Sequence, residues 1–109
     1  MNRRFILAPE AVRDLVQIWR YIKSESNNRE IADRAEAVIR SKFVFLASFP
    51  NAGHSRRDLT DAPVRFFAVY SYLIVYRPET TPLQIVGILH GGRNLERSFR
   101  NESHLSEST

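Results

Sequence analysis

The segment His90-Gly91-Gly92-Arg93 carries the side chains whose types and spacing most directly permit chemistry. It follows a run of apolar residues typical of a strand, so we expect His90 and Arg93 where a strand ends and a loop begins. A rigid sheet holds side chains close to solvent at such positions, and functional residues are often found there. The histidine could move protons near neutral pH, and the arginine could bind a phosphate or stabilise developing charge. The alternative interpretation is a sharp glycine turn in which Arg93 makes only local contacts.

A second basic segment, His54-Ser55-Arg56-Arg57, lies between predicted elements. A loop rich in cations could contact phosphate there, and a solvated surface loop is the alternative. The chain carries 16 basic and 12 acidic residues, for a formal net charge of +4. Most of the basic residues are arginines, whose planar fork favours two-point contacts with phosphate or carboxylate. This composition suits an anionic partner, either nucleic acid or an acidic protein segment.

Several kinds of site can be set aside. Cysteine is absent, which excludes disulfides and thiolate metal sites. The three histidines are not spaced as metal ligands, and the glycines form neither a P-loop nor a dinucleotide-binding motif. We therefore expect no metal and no cofactor. No apolar run approaches the ~20 residues of a membrane span, and the amino terminus lacks a secretory signal, so we expect a cytoplasmic protein without membrane association.

Apolar residues that recur every three or four positions predict two helices. Pro9 suits the first position of the first helix, and a polar break over 24–28 ends it. Asn27 and Glu30 have capping-box-like spacing at the start of the second helix, which ends at the breakers of 49–53. The two apolar stripes should pack together as an antiparallel hairpin. They are Ala11, Val12, Leu15, Ile18, Trp19 and Ile22, and Ala32, Ala35, Val38, Ile39, Phe43, Leu46 and Phe49.

The remaining apolar segments are short and rich in β-branched and aromatic residues, which predicts strands at 4–7, 64–70, 72–77 and 83–89. Short connections between the last three favour antiparallel neighbours. The predicted fold is α+β, with the order β-α-α-β-β-β and an antiparallel sheet packed against the helical hairpin. One domain should cover residues 1–100. Leu95 and Phe99 allow a short last helix, and the polar tail 101–109 is expected to fray.

Motifs along most of the chain resemble those of a known toxin family. They are Ala8-Pro9-Glu10-Ala11 with Asp14-Leu15, Ile18 and Tyr21-Ile22; Leu46, Phe49-Pro50 and Gly53; Val64-Arg65; Tyr72-Leu73-Ile74-Val75-Tyr76-Arg77; and Ile88-Leu89-His90-Gly91 with Arg93. In this order the chain resembles the ParE toxins of the RelE/ParE superfamily, the toxin half of bacterial type II toxin–antitoxin modules. The resemblance implies the same fold order. It also implies a ParD-like antitoxin whose C-terminal segment wraps the toxin, and it leaves open a homodimer within that complex.

The superfamily contains two activities. The resemblance to ParE implies poisoning of DNA gyrase, with no catalytic residue of the toxin's own. RelE-like members instead cut ribosome-bound mRNA, and much of their residue set is absent here: Leu73 follows Tyr72 where a basic residue is typical, Phe99 stands in place of a tyrosine, and lysine is scarce. The alternatives are an mRNA nuclease that uses His90 and Arg93, and a decayed toxin that only binds its antitoxin and helps repress the operon.

We expect target binding to fall on the basic side chains of the two loops and their neighbours. These candidates are His90, Arg93, Arg97, Arg56, Arg57 and Arg65. The chain departs from the family pattern at two places near them. Asn94 replaces the acid that usually follows Arg93, and Gly87 stands where many relatives carry an arginine.

Overall fold

The structure, a computed structural model, describes residues 4–90. Its elements follow the predicted β-α-α-β-β-β order. They are β1 (Phe5–Leu7), α1 (Pro9–Ser26), α2 (Arg29–Ser48), β2 (Arg65–Val69), β3 (Tyr72–Arg77) and β4 (Leu83–His90). The short helix allowed over 93–100 and the tail 101–109 lie outside the described residues.

The four strands form one sheet in the order β1-β4-β3-β2. The predicted antiparallel meander is confirmed for β2, β3 and β4. β1 differs, because it lies parallel to β4, with Phe5 opposite Leu83, and the sheet is therefore mixed. Parallel neighbours need a long crossover connection, and the chain between β1 and β4 provides one that includes the helical hairpin. A strand of three residues carries no signal of its own direction, so the sequence pattern missed this pairing.

The two helices meet at adjacent asparagines that play different roles. Asn27 ends α1 in the left-handed conformation (φ 52°), which asparagine tolerates better than most residues. Asn28 is the N-cap of α2, and its Oδ1 accepts hydrogen bonds from the backbone N–H groups of Glu30 (2.9 Å) and Ile31 (3.3 Å). The expected cap was therefore placed one residue too early, at Asn27.

The core lies between the hairpin and one face of the sheet. Its largest fully buried side chains are Tyr76, Phe43, Ile39, Leu46, Ile74 and Ile85. Helix α1 contributes Ala11, Leu15 and Ile18, the three positions of the predicted stripe that are buried there. A smaller cluster of Leu59, Val64, Phe66 and Val75 forms under the segment between α2 and β2.

Tyr76 anchors that connecting segment to the core. Its hydroxyl donates to the Pro50 carbonyl oxygen (2.6 Å) and accepts from the Gly53 N–H (2.9 Å). Burial raises the pKa of the phenol, so it stays protonated and able to donate. The buried hydroxyl satisfies one backbone acceptor and one backbone donor that would otherwise lack partners inside the protein.

Candidate functional site

A cleft of about 230 Å³ opens between α1 and the ends of β3 and β4. We call it the α1–β4 cleft, and it is lined by Asp14, Gln17, Ile18, Tyr21, Tyr72, Ile88 and His90. The four helical residues recur every three or four positions, so they share one flank of α1. Ile88 and His90 alternate along β4 and face the helices, with Tyr72 directly opposite His90 on β3. The cleft therefore brings a carboxyl, two phenols and an imidazole together.

Asp14 covers a part of β4 that β1 is too short to cover. The pairing of β1 with β4 stops at Leu7 opposite Ile85, which leaves the next residues of β4 open on that side. The Asp14 Oδ2 atom accepts a hydrogen bond from the Ile88 N–H (3.0 Å) there. Gly87 permits this approach, because a Cβ at that position would lie 3.1 Å from the same oxygen. The glycine that departs from the family pattern thus makes room for the carboxylate.

The environment of the cleft disfavours negative charge on the Asp14 carboxyl and the Tyr72 phenol. Burial raises the pKa of Asp14, and the Ile88 N–H opposes this effect only in part. Burial likewise raises the pKa of Tyr72, whose ring meets that of His90 edge to face at 5.2 Å between centroids. The His90 Nδ1 atom is buried and has no hydrogen-bond partner among residues 4–90. The site therefore holds a desolvated carboxyl together with an imidazole whose Nδ1 is buried without a partner among residues 4–90.

We expect Asp14→Asn to raise the free energy of unfolding at neutral pH. The folded pKa of Asp14 lies above its ordinary value of 3.8, so the folded state binds more protons than the unfolded state between the two pKa values. This contribution to stability is present below pH 3.8 and is lost as the pH rises through the folded pKa. Asparagine keeps an oxygen for the Ile88 N–H and does not ionise.

Chemical denaturation at a series of pH values measures this difference. The gain in stability of the Asp14→Asn variant over the wild type should grow from pH 3.8 upward and become constant above the folded pKa. A variant that is less stable than the wild type by the same amount at every pH would show that the carboxylate is not penalised by burial.

The other described target-binding candidates lie away from His90. Arg65 pairs with Tyr76, whereas His90 pairs with Tyr72, so four residues of β3, roughly 13 Å, separate the two positions along the strand. The Arg65 guanidinium donates to the Gly53 carbonyl oxygen (2.8 Å). The structure thus separates the two basic segments that the sequence suggested as target contacts.

The remaining candidates differ in their surroundings. Arg56 forms an ion pair with Asp58 (2.7 Å), and its hydrogen bond holds the pKa of that carboxyl below its usual value. Arg57 is exposed. Arg93 and Arg97 lie outside the described residues. We refer to Arg56, Arg57 and Arg65 together as the basic corner.

Sequence reasoning located His90 at a strand end but missed most of the cleft around it. Asp14 lies outside the predicted apolar stripe of α1, yet it is half-buried and bonds to β4. The spacing of positions 14, 17, 18 and 21 could have indicated the cleft, because it places their side chains on one flank of α1 that borders the stripe at position 18. What the sequence lacked was the pairing of that flank with β4, which lies more than seventy positions away.

Two absences apply to the described residues. Between residues 4 and 90 no group of three or more His, Asp or Glu side chains is placed to hold a metal ion. Within the same range, neither helix has the length and apolar character needed to cross a membrane.

The fold and the comparisons define the class of protein. Nine solved chains match this one, among them a chain described as the chromosomal ParDE TA system from P. aeruginosa. It superposes with a TM-score of 0.67 and 21% sequence identity, covering 80% of this chain and 94% of its own. This likeness confirms the α+β fold, with two helices on a four-stranded mixed sheet.

The family follows from the sequence. The family model described as ParE toxin of type II toxin-antitoxin system, parDE, matches residues 5–95. The chain therefore belongs to the ParE toxin family, as its motifs predicted. No curated protein sequence matches it.

Proposed function

We propose that this ParE-family chain poisons DNA gyrase in the bacterial cytoplasm, without catalysis of its own, and that a ParD-like antitoxin neutralises it. The observation that carries the proposal is the family match over residues 5–95, because gyrase inhibition is the usual action of ParE toxins. Trapping gyrase on cleaved DNA would then block replication.

The chemistry of the α1–β4 cleft supports a toxin that is not an enzyme. Cleavage of RNA needs a proton acceptor, and it needs cations that stabilise the phosphate as negative charge develops. Among the described residues, no lysine or arginine lines the cleft. Burial raises the pKa of Tyr72, which keeps the phenol protonated and makes it a poor base near neutral pH. Within residues 4–90, His90 thus lines the cleft without a lysine or arginine beside it there.

The His90 end of the sheet is the proposed target-binding surface. Arg93 and Arg97 follow His90 within a few residues of sequence, so all three candidates belong to one segment. Arg65 of the basic corner lies roughly 13 Å from the position of His90, measured along β3. A target as large as a gyrase–DNA complex can reach both regions at once, whereas a small ligand cannot.

An exposed aromatic patch supplies the proposed antitoxin surface. Phe45 contacts Phe49 and Phe67, with ring centroids 5.2 and 5.6 Å apart, and Phe49 is 59% exposed. Elsewhere on the surface, Val12 and Val16 of helix α1 are both about half exposed. Apolar side chains presented in this way, on a chain of net charge +4, suit an acidic amphipathic segment of a partner. A second copy of the chain is the competing occupant, and sedimentation of the purified protein distinguishes the two.

Purified full-length chain added to gyrase and relaxed plasmid tests the proposal. We expect loss of supercoiling, restored when the antitoxin is added first. A parallel reaction with ribosomes and mRNA should show no cleavage. Cut mRNA with unchanged supercoiling would identify the nuclease alternative. A chain that binds the antitoxin but affects neither reaction would identify a decayed toxin.

Arg93→Ala should raise the concentration needed for gyrase inhibition by about tenfold or more, because a charge-assisted hydrogen bond to a phosphate or carboxylate is lost. Arg34→Ala is the matched control, since it removes the same charge from an exposed position on α2. Melting temperature and antitoxin affinity should stay unchanged in both variants. Equal inhibition by Arg93→Ala and the wild type would reassign Arg93 to local structure.

A further inference from the structure

We propose that the α1–β4 cleft receives an arginine side chain presented by a partner polypeptide. The inference deepens the proposed function, because it names a chemical group on a protein that binds the toxin. A basic ligand is unexpected here, because a chain of net charge +4 should on average attract acidic groups. The cleft is a local exception, since Asp14 is the one acidic or basic side chain, histidine apart, among the residues of 4–90 that line it.

The cleft offers neutral acceptors around one carboxylate. Asp14 uses Oδ2 for the Ile88 N–H, and Oδ1 has no partner among residues 4–90. The side-chain oxygen of Gln17 and the hydroxyls of Tyr21 and Tyr72 can accept as well, and each of these side chains also carries a donor. A guanidinium has five N–H donors and no acceptor, so it can use the carboxylate and the neutral acceptors together. A bound carboxylate or phosphate could accept from the same hydroxyls and amide, but it would face the like charge of Asp14.

Desolvation of Asp14 adds an electrostatic reason. Burial penalises the carboxylate, and no lysine or arginine among the described residues lines the cleft to compensate. Arg13, the neighbouring cation on α1, offsets the penalty only weakly. A bound cation would restore the favourable interaction that the carboxylate lost with water. Binding should therefore draw the Asp14 pKa back towards its ordinary range.

The shape of the cleft favours arginine over lysine. Ile18 and Ile88 provide apolar walls for the methylene stem of a long cationic side chain. The rings of Tyr21 and Tyr72 offer aromatic surface on which a planar guanidinium can stack. The acceptors are distributed around the cleft, which suits a planar fork of donors better than the compact and strongly hydrated ammonium of lysine.

The test uses the full-length chain and a capped arginine, N-acetylarginine amide, as the probe. Capped citrulline has nearly the same shape without the charge, and capped lysine carries the charge without the fork. Two-dimensional NMR follows the amide of Ile88 and the rings of Tyr72 and His90 during each titration. We expect saturable shifts with capped arginine, and about tenfold or weaker binding of citrulline and lysine.

Two variants make the site assignment specific. Asp14→Asn keeps an acceptor for the Ile88 N–H and should weaken arginine binding about tenfold or more. Glu79→Gln is the matched control, because it removes the same charge from an exposed position in the turn between β3 and β4, outside the cleft and at the end of these strands opposite Tyr72 and His90. It should leave binding unchanged.

Three results would overturn the proposal: no shift at Ile88, equal binding of citrulline and arginine, or equal weakening by Asp14→Asn and Glu79→Gln. Lysine binding as tight as arginine binding would contradict the assignment to a guanidinium. The probe contains neither gyrase nor antitoxin, so this outcome is independent of the supercoiling assay. Either proposal can fail while the other stands.

Discussion

Leu15→Ala is expected to lower the free energy of unfolding by about 3 kcal/mol, within the usual 2–5 kcal/mol for a fully packed leucine. Leu15 is 2% exposed and lies in the core cluster between α1 and the sheet. Removing its branched end forfeits the transfer free energy of the lost carbons and leaves a cavity that fixed neighbours cannot fill. Urea denaturation followed by circular dichroism measures the change.

Val16→Ala provides the control on the next residue of the same helix. Val16 is 45% exposed, and alanine has the higher helix propensity, so the loss should be below about 1 kcal/mol. If both substitutions cost the same, the buried face of α1 has been assigned wrongly.

Gly53→Ala is the second substitution with a large expected effect, a loss of about 3 kcal/mol, at the upper end for overpacking. A Cβ on residue 53 would lie 2.6 Å from the Tyr76 hydroxyl and 2.8 Å from the Phe66 carbonyl oxygen. Neither atom can retreat, because Tyr76 is fully buried and Phe66 is paired with His54 on the edge of the sheet. The methyl group would force apart the hydrogen bonds that hold the 50–53 segment on Tyr76.

Gly87→Ala is the matched comparison. Its nearest neighbour would be the Asp14 Oδ2 at 3.1 Å, the end of a side chain that can shift by a few tenths of an ångström. Alanine is also better than glycine within a strand, so the net cost should stay below about 1 kcal/mol. Thermal melting of both variants tests the contrast. A Gly53→Ala variant as stable as Gly87→Ala would mean that the 50–53 segment is free to move away from Tyr76.

The sequence predicted those elements whose own residues carry a clear pattern, such as a continuous apolar run or a helix-start residue. The bounds of β3 agree with the apolar and aromatic run 72–77, and Pro9 begins α1 as its chemistry predicts. Patterns failed where the outcome depended on distant residues. The parallel pairing of β1 is decided by the return of the chain beside β4, and the cap of α2 falls on Asn28 because Asn27 takes the left-handed conformation that ends α1.

In the candidate site, too, local features were predictable and contacts between distant residues were not. His90 could be placed at a strand end because the strand before it is continuous in sequence. The contact between Asp14 and the Ile88 N–H joins two elements that no local pattern connects, and the role of Gly87 follows only from that contact. Arg65 is a basic residue of the kind expected to contact the target, yet its guanidinium donates to the Gly53 carbonyl oxygen. That contact depends on the fold and cannot be inferred from residue type.

Trapping of gyrase on broken DNA tests the central claim most directly. Gyrase, plasmid and the full-length chain are incubated together, and detergent and protease then release any DNA held in covalent complexes. The account predicts linear plasmid in proportion to the chain, absent when the antitoxin is added first and reduced about tenfold or more with Arg93→Ala. If the plasmid stays intact at concentrations that arrest bacterial growth, the chain has another target and the gyrase assignment is wrong.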